Sequence, residues 1–269
     1  MHMDGRKMKM SKRIRELFSS LLFPPRCLIC DEILEPEQLT KGIHLECEEK
    51  LFPVQLPYCF HCGRPISQNT KEYCGECLRI YVKEIPQTIK KTKKSTQHLT
   101  SAVTAARSLY LYQGVIKKSM YRFKYSNKRE YAGFFAEQAI RKYTNWIYNQ
   151  QIEVIIPVPM YSKKKKKRGY NQAESFAREL SERLGIPMDK ELIKRVKDTT
   201  PQKQLNPIKR KNNLKNAFQI KENIVQYKHI LVVDDIYTTG STVEAVAQEI
   251  KNRGVCQVYV LSICIGRGI

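Results

Sequence analysis

Seven of the nine cysteines fall between Cys27 and Cys77, and they fall in pairs. The pairs are Cys27-x2-Cys30 in CLIC, Cys59-x2-Cys62 in CFHC and Cys74-x2-Cys77 in CGEC, with His44-x2-Cys47 in HLEC as a fourth. Two ligands separated by two residues in a tight turn can reach one tetrahedral ion. A glycine just after the pair (Gly63) or inside it (Gly75) lets backbone N–H groups turn toward the sulfurs. Four pairs make enough ligands for two zinc ions. Sequential pairing gives a first site of Cys27, Cys30, His44 and Cys47, and a second of Cys59, Cys62, Cys74 and Cys77. The alternative for the first is a surface histidine at His44 and an unpaired thiol at Cys47. His61, inside a CxxC loop, is expected to stay out of the coordination shell. Nothing in the chain supports the oxidising compartment that a disulfide reading needs. Sites closed by four protein ligands are structural, and in a segment this poor in aliphatic residues metal binding supplies much of the folding free energy. Cys256 and Cys264 lie in an apolar strand pattern and are expected as buried small hydrophobes.

Charge adds a second constraint. The 269 residues carry 48 lysines and arginines against 26 acids, a formal net charge of +22. Such a bias points to a polyanionic partner, whether nucleic acid, phosphorylated ligands or an anionic membrane surface, or to a lysine-rich proteome. No segment has the apolar length of a membrane span. In the stretch KMKMSKRIRELFSSLLFPP, Phe18, Leu21, Leu22 and Phe23 are broken by serines and stopped by Pro24-Pro25, which reads as a short amphipathic helix of a cytoplasmic protein rather than a signal peptide.

The organisation expected is a tail over 1–26, a double zinc ribbon over 27–80, a basic linker over 81–104 and an α/β domain over 105–269. The cores of ribbon and α/β domain are expected to be separate across the lysine-rich linker. In the last part, ARSLYLY reads as a strand, GVIKKSMYRFKY and EYAGFFAEQAIRKYTNWIY as helices, and EVIIPVP as a buried strand. NQAESFARELSERLG is a helix capped by Gly185. HILVVDD is a second buried strand, Val243, Val246, Ala247 and Ile250 mark another helix, and CQVYVLSIC is a last strand. Strands alternating with helices imply an α/β fold with a mostly parallel, doubly wound sheet.

In such a sheet, ligands bind beyond the carboxyl ends of the strands. Asp234 and Asp235 end the strand HILVVDD there. Thr238, Thr239, Gly240, Ser241 and Thr242 follow, and then a helix begins. Free N–H groups at that helix start, with hydroxyl donors beside them, suit a phosphate. The paired carboxylates suit vicinal hydroxyls, a divalent cation, or both. The stretch therefore reads as a site for a sugar phosphate, and it lacks the Gly-x-x-x-x-Gly-Lys pattern of a nucleotide P-loop. The run Lys163 to Arg168 reads as a solvated loop or arm, with pyrophosphate contact through Arg168 and nucleic-acid contact through the lysines as its two functional readings.

VVDDIYTTGST resembles the motif with which type I phosphoribosyltransferases bind 5-phosphoribosyl 1-diphosphate (PRPP). The wider chain resembles the ComF family, phosphoribosyltransferase-like proteins associated with DNA uptake in natural competence. The likeness extends over the paired ligand spacings, PVPMYSKKKKKRGYNQA, TTPQKQLNPIKRKNNLKNAF and the acid-pair loop. It implies that Asp234 and Asp235 hold the ribose hydroxyls of PRPP and that Thr238 to Thr242 hold its 5-phosphate. Pro157 and Val158 end a strand, while Arg168, Gly169, Tyr170, Asn171 and Gln172 match a signature near the pyrophosphate. Gln202, Arg210 and Asn213 match a second signature whose chemical role is open. Where relatives usually carry two cysteines, this chain has His44-x2-Cys47. The implied function is PRPP binding with Mg2+ and a role in DNA uptake and natural transformation, through cytoplasmic handling of incoming single-stranded DNA. A competence helicase or other DNA-uptake proteins are the implied partners, and the implied location is cytoplasmic, the inner face of the membrane included. The alternatives are an active phosphoribosyltransferase of nucleotide salvage, with Asp234, Asp235 and Arg168 as its catalytic groups, and a PRPP-sensing regulator.

Overall fold

The computed structural model describes residues 24–67, 72–82, 101–198, 214, 216–221 and 226–266. The tail helix around Phe18 to Phe23, most of the basic linker, and Gln202, Arg210 and Asn213 lie outside these residues. The chain forms two compact units, the first ending at Leu51 and the second running Phe52–Ile269. The division falls between the two cysteine clusters rather than in the lysine-rich segment.

In the first unit, the Cys27 N–H donates to the Glu32 carbonyl at 2.8 Å and Asp31 turns through a positive φ of 70°, closing the CLIC knuckle. Helix α1, Leu45–Glu48, carries Cys47 inward. Leu28, Ile29, Leu34, Ile43 and Leu51 are the buried aliphatic residues described in this unit.

The second unit begins with an edge cover. Val54 donates to Leu109, and Leu111 donates to Phe52, both at 2.8 Å. This pairs residues 52–54 with strand β1, Ala105–Leu111, after the second knuckle and helix α2, Gly75–Val82. Then come helices α3, Ile116–Tyr125, and α4, Tyr131–Asn149, and strand β2, Val154–Pro157. Helices α5, Ser162–Arg168, and α6, Gln172–Leu184, follow, with the short strands β3, Ile193–Arg195, and β4, Phe218–Ile220. Strand β5, His229–Tyr237, helix α7, Ser241–Lys251, and strand β6, Gln257–Ile265, complete it.

Strands β1, β6, β5 and β2 form one parallel sheet in that order, while β3 and β4 pair antiparallel apart from it. The registers Val154↔Ile230 and Ile230↔Val258 put alternate residues of neighbouring strands on a common face. Because side chains alternate along a strand, Val154, Ile156, Ile230, Val232, Val258 and Val260 share one buried cluster with Val243, Val246 and Ile250 of α7. The intervening residues face α4 and α6, which pack on each other and on the other side of the sheet. This is the parallel α/β arrangement the sequence pattern implies.

Three details differ from the sequence expectation. The lysine run is helix α5 rather than a loop. Lysine is a good helix former, Lys164 and Lys165 are paired with Asp198 and Glu174 at 2.8 and 2.6 Å, and the basic residues sit toward the negative end of the helix dipole. Strand β5 continues past both aspartates to Tyr237, held by β6 as far as Ile265. Cys264 is buried as expected, but Cys256 is exposed, since it stands in the turn before β6 starts.

The second cysteine cluster shares its core with the sheet. Cys59, Cys62 and Cys77 belong to the same buried cluster as Ala106, Val232 and Tyr237. The contact is tight at Gly63, which adopts φ 73° and whose Cβ, if present, would stand 2.6 Å from the Ala106 carbonyl oxygen. Only glycine fits there. The separate cores expected from the sequence are not found. Metal analysis is therefore expected to give two zinc ions per chain, and chelation is expected to lower the melting temperature of the α/β unit by about 5 °C or more. A melting temperature of that unit unmoved by chelation would contradict the shared core.

Candidate functional site

The acid pair occupies the central strand of the sheet. Adjacent strand residues point to opposite faces, so the two carboxylates meet different surroundings. Asp235 faces α3, where its Oδ2 lies 2.9 Å from Lys124 Nζ. Asp234 has the same parity as Ile230 and Val232, and the guanidinium of Arg195 on β3 is the cation that acts on it along with Lys124. Burial, then the neighbouring charge of Asp235, raises the Asp234 carboxyl from its ordinary value to about 7. Its Oδ1 accepts the Asp235 N–H at 2.8 Å. Burial works against the charge on Lys124, but Asp235 outweighs it and holds the ammonium above its usual range.

The loop that follows is shaped from below. Tyr237 is buried, and a Cβ at Gly240 would collide with its phenol; Gly240 itself adopts φ 76°. Gly240 is also the N-cap of α7 and supplies no side chain to the first-turn amides. Thr239 and Ser241 exchange a hydroxyl hydrogen bond of 2.8 Å. Asp234, Tyr237, Thr238, Gly240, Ser241 and Thr242 border one small cavity. Backbone N–H groups at a helix start with two hydroxyls beside them make an anion cradle.

The RGYNQ run divides by task. Asn171 caps α6 by accepting from the Ala173 N–H at 3.2 Å and donates to the Val158 carbonyl at 2.9 Å, tying the helix to the end of β2. Tyr170 donates its hydroxyl hydrogen to the Phe123 carbonyl, and Gln172 Nε2 donates to the same oxygen at 3.1 Å. Tyr170 and Gln172 together fix the end of α3, which carries Lys124. Arg168 alone reaches the rim. Its guanidinium lies 4.9 Å from the ring centre of Tyr125 and donates to Gln172 Oε1 at 2.8 Å. It lies close enough to Lys124 to disfavour that ammonium by like charge. The structure thus sets Asp234, Asp235 and Arg168 about Lys124, and Asp234 beside Thr238, Gly240, Ser241 and Thr242.

Each cysteine cluster is a four-donor set. Cys27, Cys30, His44 and Cys47 form one and Cys59, Cys62, Cys74 and Cys77 the other, with ligand atoms all within 4.8 Å of one another. His44 Nδ1 stands 3.2 Å from Cys30 Sγ and 4.0 Å from Cys47 Sγ, while Nε2 lies 3.1 Å from the Ile33 carbonyl. A carbonyl only accepts, so Nε2 carries the proton and the Nδ1 lone pair faces the sulfurs, the usual outer-shell device of a metal-bound imidazole. In the second set, hydrogen bonds among the sulfurs hold Cys59 below the ordinary thiol range and push Cys62 and Cys77 above it. Thiols crowded this closely cannot all ionise without a cation. Both sets fit structural zinc. His61 lies beside the second set, 3.3 Å from Cys77 Sγ and 3.0 Å from the Val103 carbonyl.

Comparison with known proteins agrees with this arrangement. A double zinc ribbon domain model matches residues 18–78 and a phosphoribosyl transferase domain model matches residues 135–267. A double zinc ribbon match ahead of a phosphoribosyl transferase match that spans most of the parallel sheet defines a phosphoribosyltransferase-fold protein. Competence protein F of Haemophilus influenzae is 31% identical, over 87% of this chain and 94% of its own. The DNA utilization protein YhgH of Salmonella typhimurium is 31% identical over 77% of this chain and 83% of its own, and the competence protein ComFC of Bacillus subtilis 26% over 85% and 89%. The chain belongs to the ComF family. Among solved structures, a purine phosphoribosyltransferase from Pyrococcus horikoshii Ot3 is similar at 22% identity, covering 49% of this chain and 74% of that one, with a TM-score of 0.33 that is too low to add to the assignment.

Sequence reasoning missed Lys124 and Arg195. Both are single cations in a lysine-rich chain, and only the fold sets them beside the acids. The acid pair has a measurable cost. Between pH about 4 and 7 the unfolded chain releases a proton that folded Asp234 keeps, so the folded state loses stability as pH rises through that window and the loss is complete above it. Asp234→Asn removes the titration. Its melting temperature is expected to exceed that of the unaltered protein at pH 8, with the gain shrinking toward pH 4. An equal shift at both pH values would contradict the raised carboxyl.

Proposed function

We propose that the chain binds PRPP with Mg2+ at the acid pair and phosphate loop, and that it acts in DNA uptake by handling incoming single-stranded DNA in the cytoplasm. The observation that carries the PRPP reading is the juxtaposition of Asp234 and Asp235 with a helix start whose N-cap, Gly240, has no side chain. In this reading the loop N–H groups and the Thr239 and Ser241 hydroxyls hold the 5-phosphate, and the carboxylates accept from the ribose hydroxyls. Lys124 pairs with Asp235 and orients it for that task, and Arg168 stands where it can meet pyrophosphate. Mg2+, once bound with the ligand, neutralises diphosphate charge.

The DNA reading draws on the relatives' names and on the rim of the site. Tyr121 and Tyr125 of α3 are 63% and 61% exposed, their ring centres 4.9 Å apart, with Arg168 against Tyr125. Exposed aromatic faces beside cations are what single strands use for stacking without sequence preference. Helix α5 adds Lys163, Lys166 and Lys167, all exposed. No described helix is long and apolar enough to cross a membrane.

Calorimetry with PRPP is expected to show Mg2+-dependent binding that weakens in Asp234→Asn and in Asp235→Asn, by roughly 1.5–3 kcal/mol for each charged hydrogen bond lost. Unchanged affinity in the double variant would remove the site assignment. Incubation with PRPP, Mg2+ and a set of nucleobases separates the classes: pyrophosphate release makes the chain a transferase, and binding without release leaves PRPP as a ligand of the DNA-handling role. Replacing Lys163, Lys166 and Lys167 with glutamine is expected to flatten the salt dependence of single-stranded DNA binding by about two units, at about 0.7 per phosphate. Tyr121→Ala with Tyr125→Ala is expected to weaken binding at an unchanged slope. DNA binding that ignores both sets of changes would move the contact elsewhere.

A further inference from the structure

Arg64 connects the second cysteine cluster to the phosphate loop. It stands two residues after Cys62, its side chain 8% exposed, and its counter-ion Glu76 lies between Cys74 and Cys77. One guanidinium nitrogen pairs with the Glu76 carboxylate. The other donates to the Thr238 carbonyl at 2.7 Å, across 174 positions of sequence. Thr238 is the first residue of the proposed phosphate loop. The preceding carbonyl, of Tyr237, accepts the Gly266 N–H at 2.8 Å. The entry to the loop is therefore held at two successive peptides, one from β6 and one from the cysteine cluster.

We propose that Arg64 is a positioning residue through which the second cysteine cluster sets the phosphate loop. The reason is peptide geometry. In a planar trans peptide the carbonyl and the following N–H point in opposite directions. Fixing the Thr238 carbonyl on Arg64 aims the Thr239 N–H away from the guanidinium and holds that peptide in one orientation. A carbonyl free to rotate would swing toward an incoming phosphate and repel it. Glu76 keeps the buried guanidinium charged and directed, so the hold lasts as long as the four-cysteine knuckle that carries both partners. The start of α7 is secured separately, because Glu244 accepts from Ser101 Oγ and the Ala102 N–H, each at 2.7 Å. Loss of Arg64 therefore loosens the loop and leaves the helix in place.

This rests on the loop being a phosphate site, and the test separates the two ideas. In the full-length zinc-loaded protein, Arg64→Met, Arg64→Lys and Glu76→Gln are compared with the unaltered chain, with zinc content measured for each. Ribose 5-phosphate and PRPP with Mg2+ serve as probes in calorimetry. Amide hydrogen exchange is followed at Thr239, Gly240 and Ser241 without ligand. Arg64→Met is expected to keep two zinc ions, to bind both probes about tenfold or more weaker, and to exchange faster at the loop amides but not within α7. Arg64→Lys recovers part of the affinity, and Glu76→Gln falls between. Arg64→Met with unaltered affinity and unaltered loop exchange overturns the proposal. If Arg64→Met loses zinc, Glu76→Gln decides by the same two readouts. If the unaltered chain binds neither probe, the phosphate reading of the loop fails, while the exchange data still decide whether Arg64 holds it.

Discussion

Two adjacent carboxylates in the central strand of a parallel sheet have to be answered on both of its faces. A strand sends neighbouring side chains to opposite sides, so the two acids cannot share one cation at equal range. Lys124 at the end of α3 pairs with Asp235 and also acts on Asp234, to which Arg195 on β3 adds a second, weaker influence. Much of the surrounding fold follows from these two placements. α3 ends where it does because Tyr170 and Gln172 both bind the Phe123 carbonyl, one residue before Lys124. The β3–β4 pair brings Arg195 over the sheet, with its guanidinium 5.5 Å from the Phe218 ring centre. The compensation is incomplete, and Asp234 remains raised. A carboxyl left short of cationic partners is one that a ligand's hydroxyls, or a metal ion arriving with the ligand, can satisfy.

The cysteine clusters do not play equal parts. The first lies in the unit that ends at Leu51, with its own small apolar shell. The second is built into the side of the sheet: the Ala106 N–H donates to the His61 carbonyl at 2.6 Å, and Gly63 rests on the Ala106 carbonyl. Its residues therefore act as part of the α/β core. That explains why a four-residue knuckle can carry a buried arginine at all. A buried charge survives where a counter-ion and hydrogen-bond acceptors are fixed in place, and here the knuckle supplies the acid while the loop supplies the carbonyl.

What could be read from the sequence followed physical rules with short reach. Buried strands announced themselves as apolar runs, and α6 and α7 as apolar residues at helical spacing. Ligand sets were legible because x2 spacing is itself the geometry of a metal knuckle. Strands β3 and β4 are three residues each, too short to show alternation. Helix α5 was hidden because like charges in a row suggest mutual repulsion, and the acids that relieve it, Glu174 and Asp198, come from outside the run. The chemistry of Lys124, Arg195 and Arg64 was invisible for one shared reason. Each acquires its meaning from a partner far along the chain, and no local pattern distinguishes it from the other cations.

The excess of positive charge can now be divided by location. Part of it is internal compensation: Lys124 serves Asp235, and Lys165, Arg178 and Lys190 surround Glu174, whose side chain is only 11% exposed. These cations are spent on the fold and offer little to a partner. Others stand at the rim, where Arg168 leans on Tyr125 and α5 turns Lys163, Lys166 and Lys167 outward. A small phosphorylated ligand and a polyanionic strand are therefore not competing explanations of the same charge. Cations on the fold side of the rim face the acid pair that the first would meet, and those on the solvent side remain available for the second. Arg168, touching the aromatic surface and lying near Lys124, belongs to both sets.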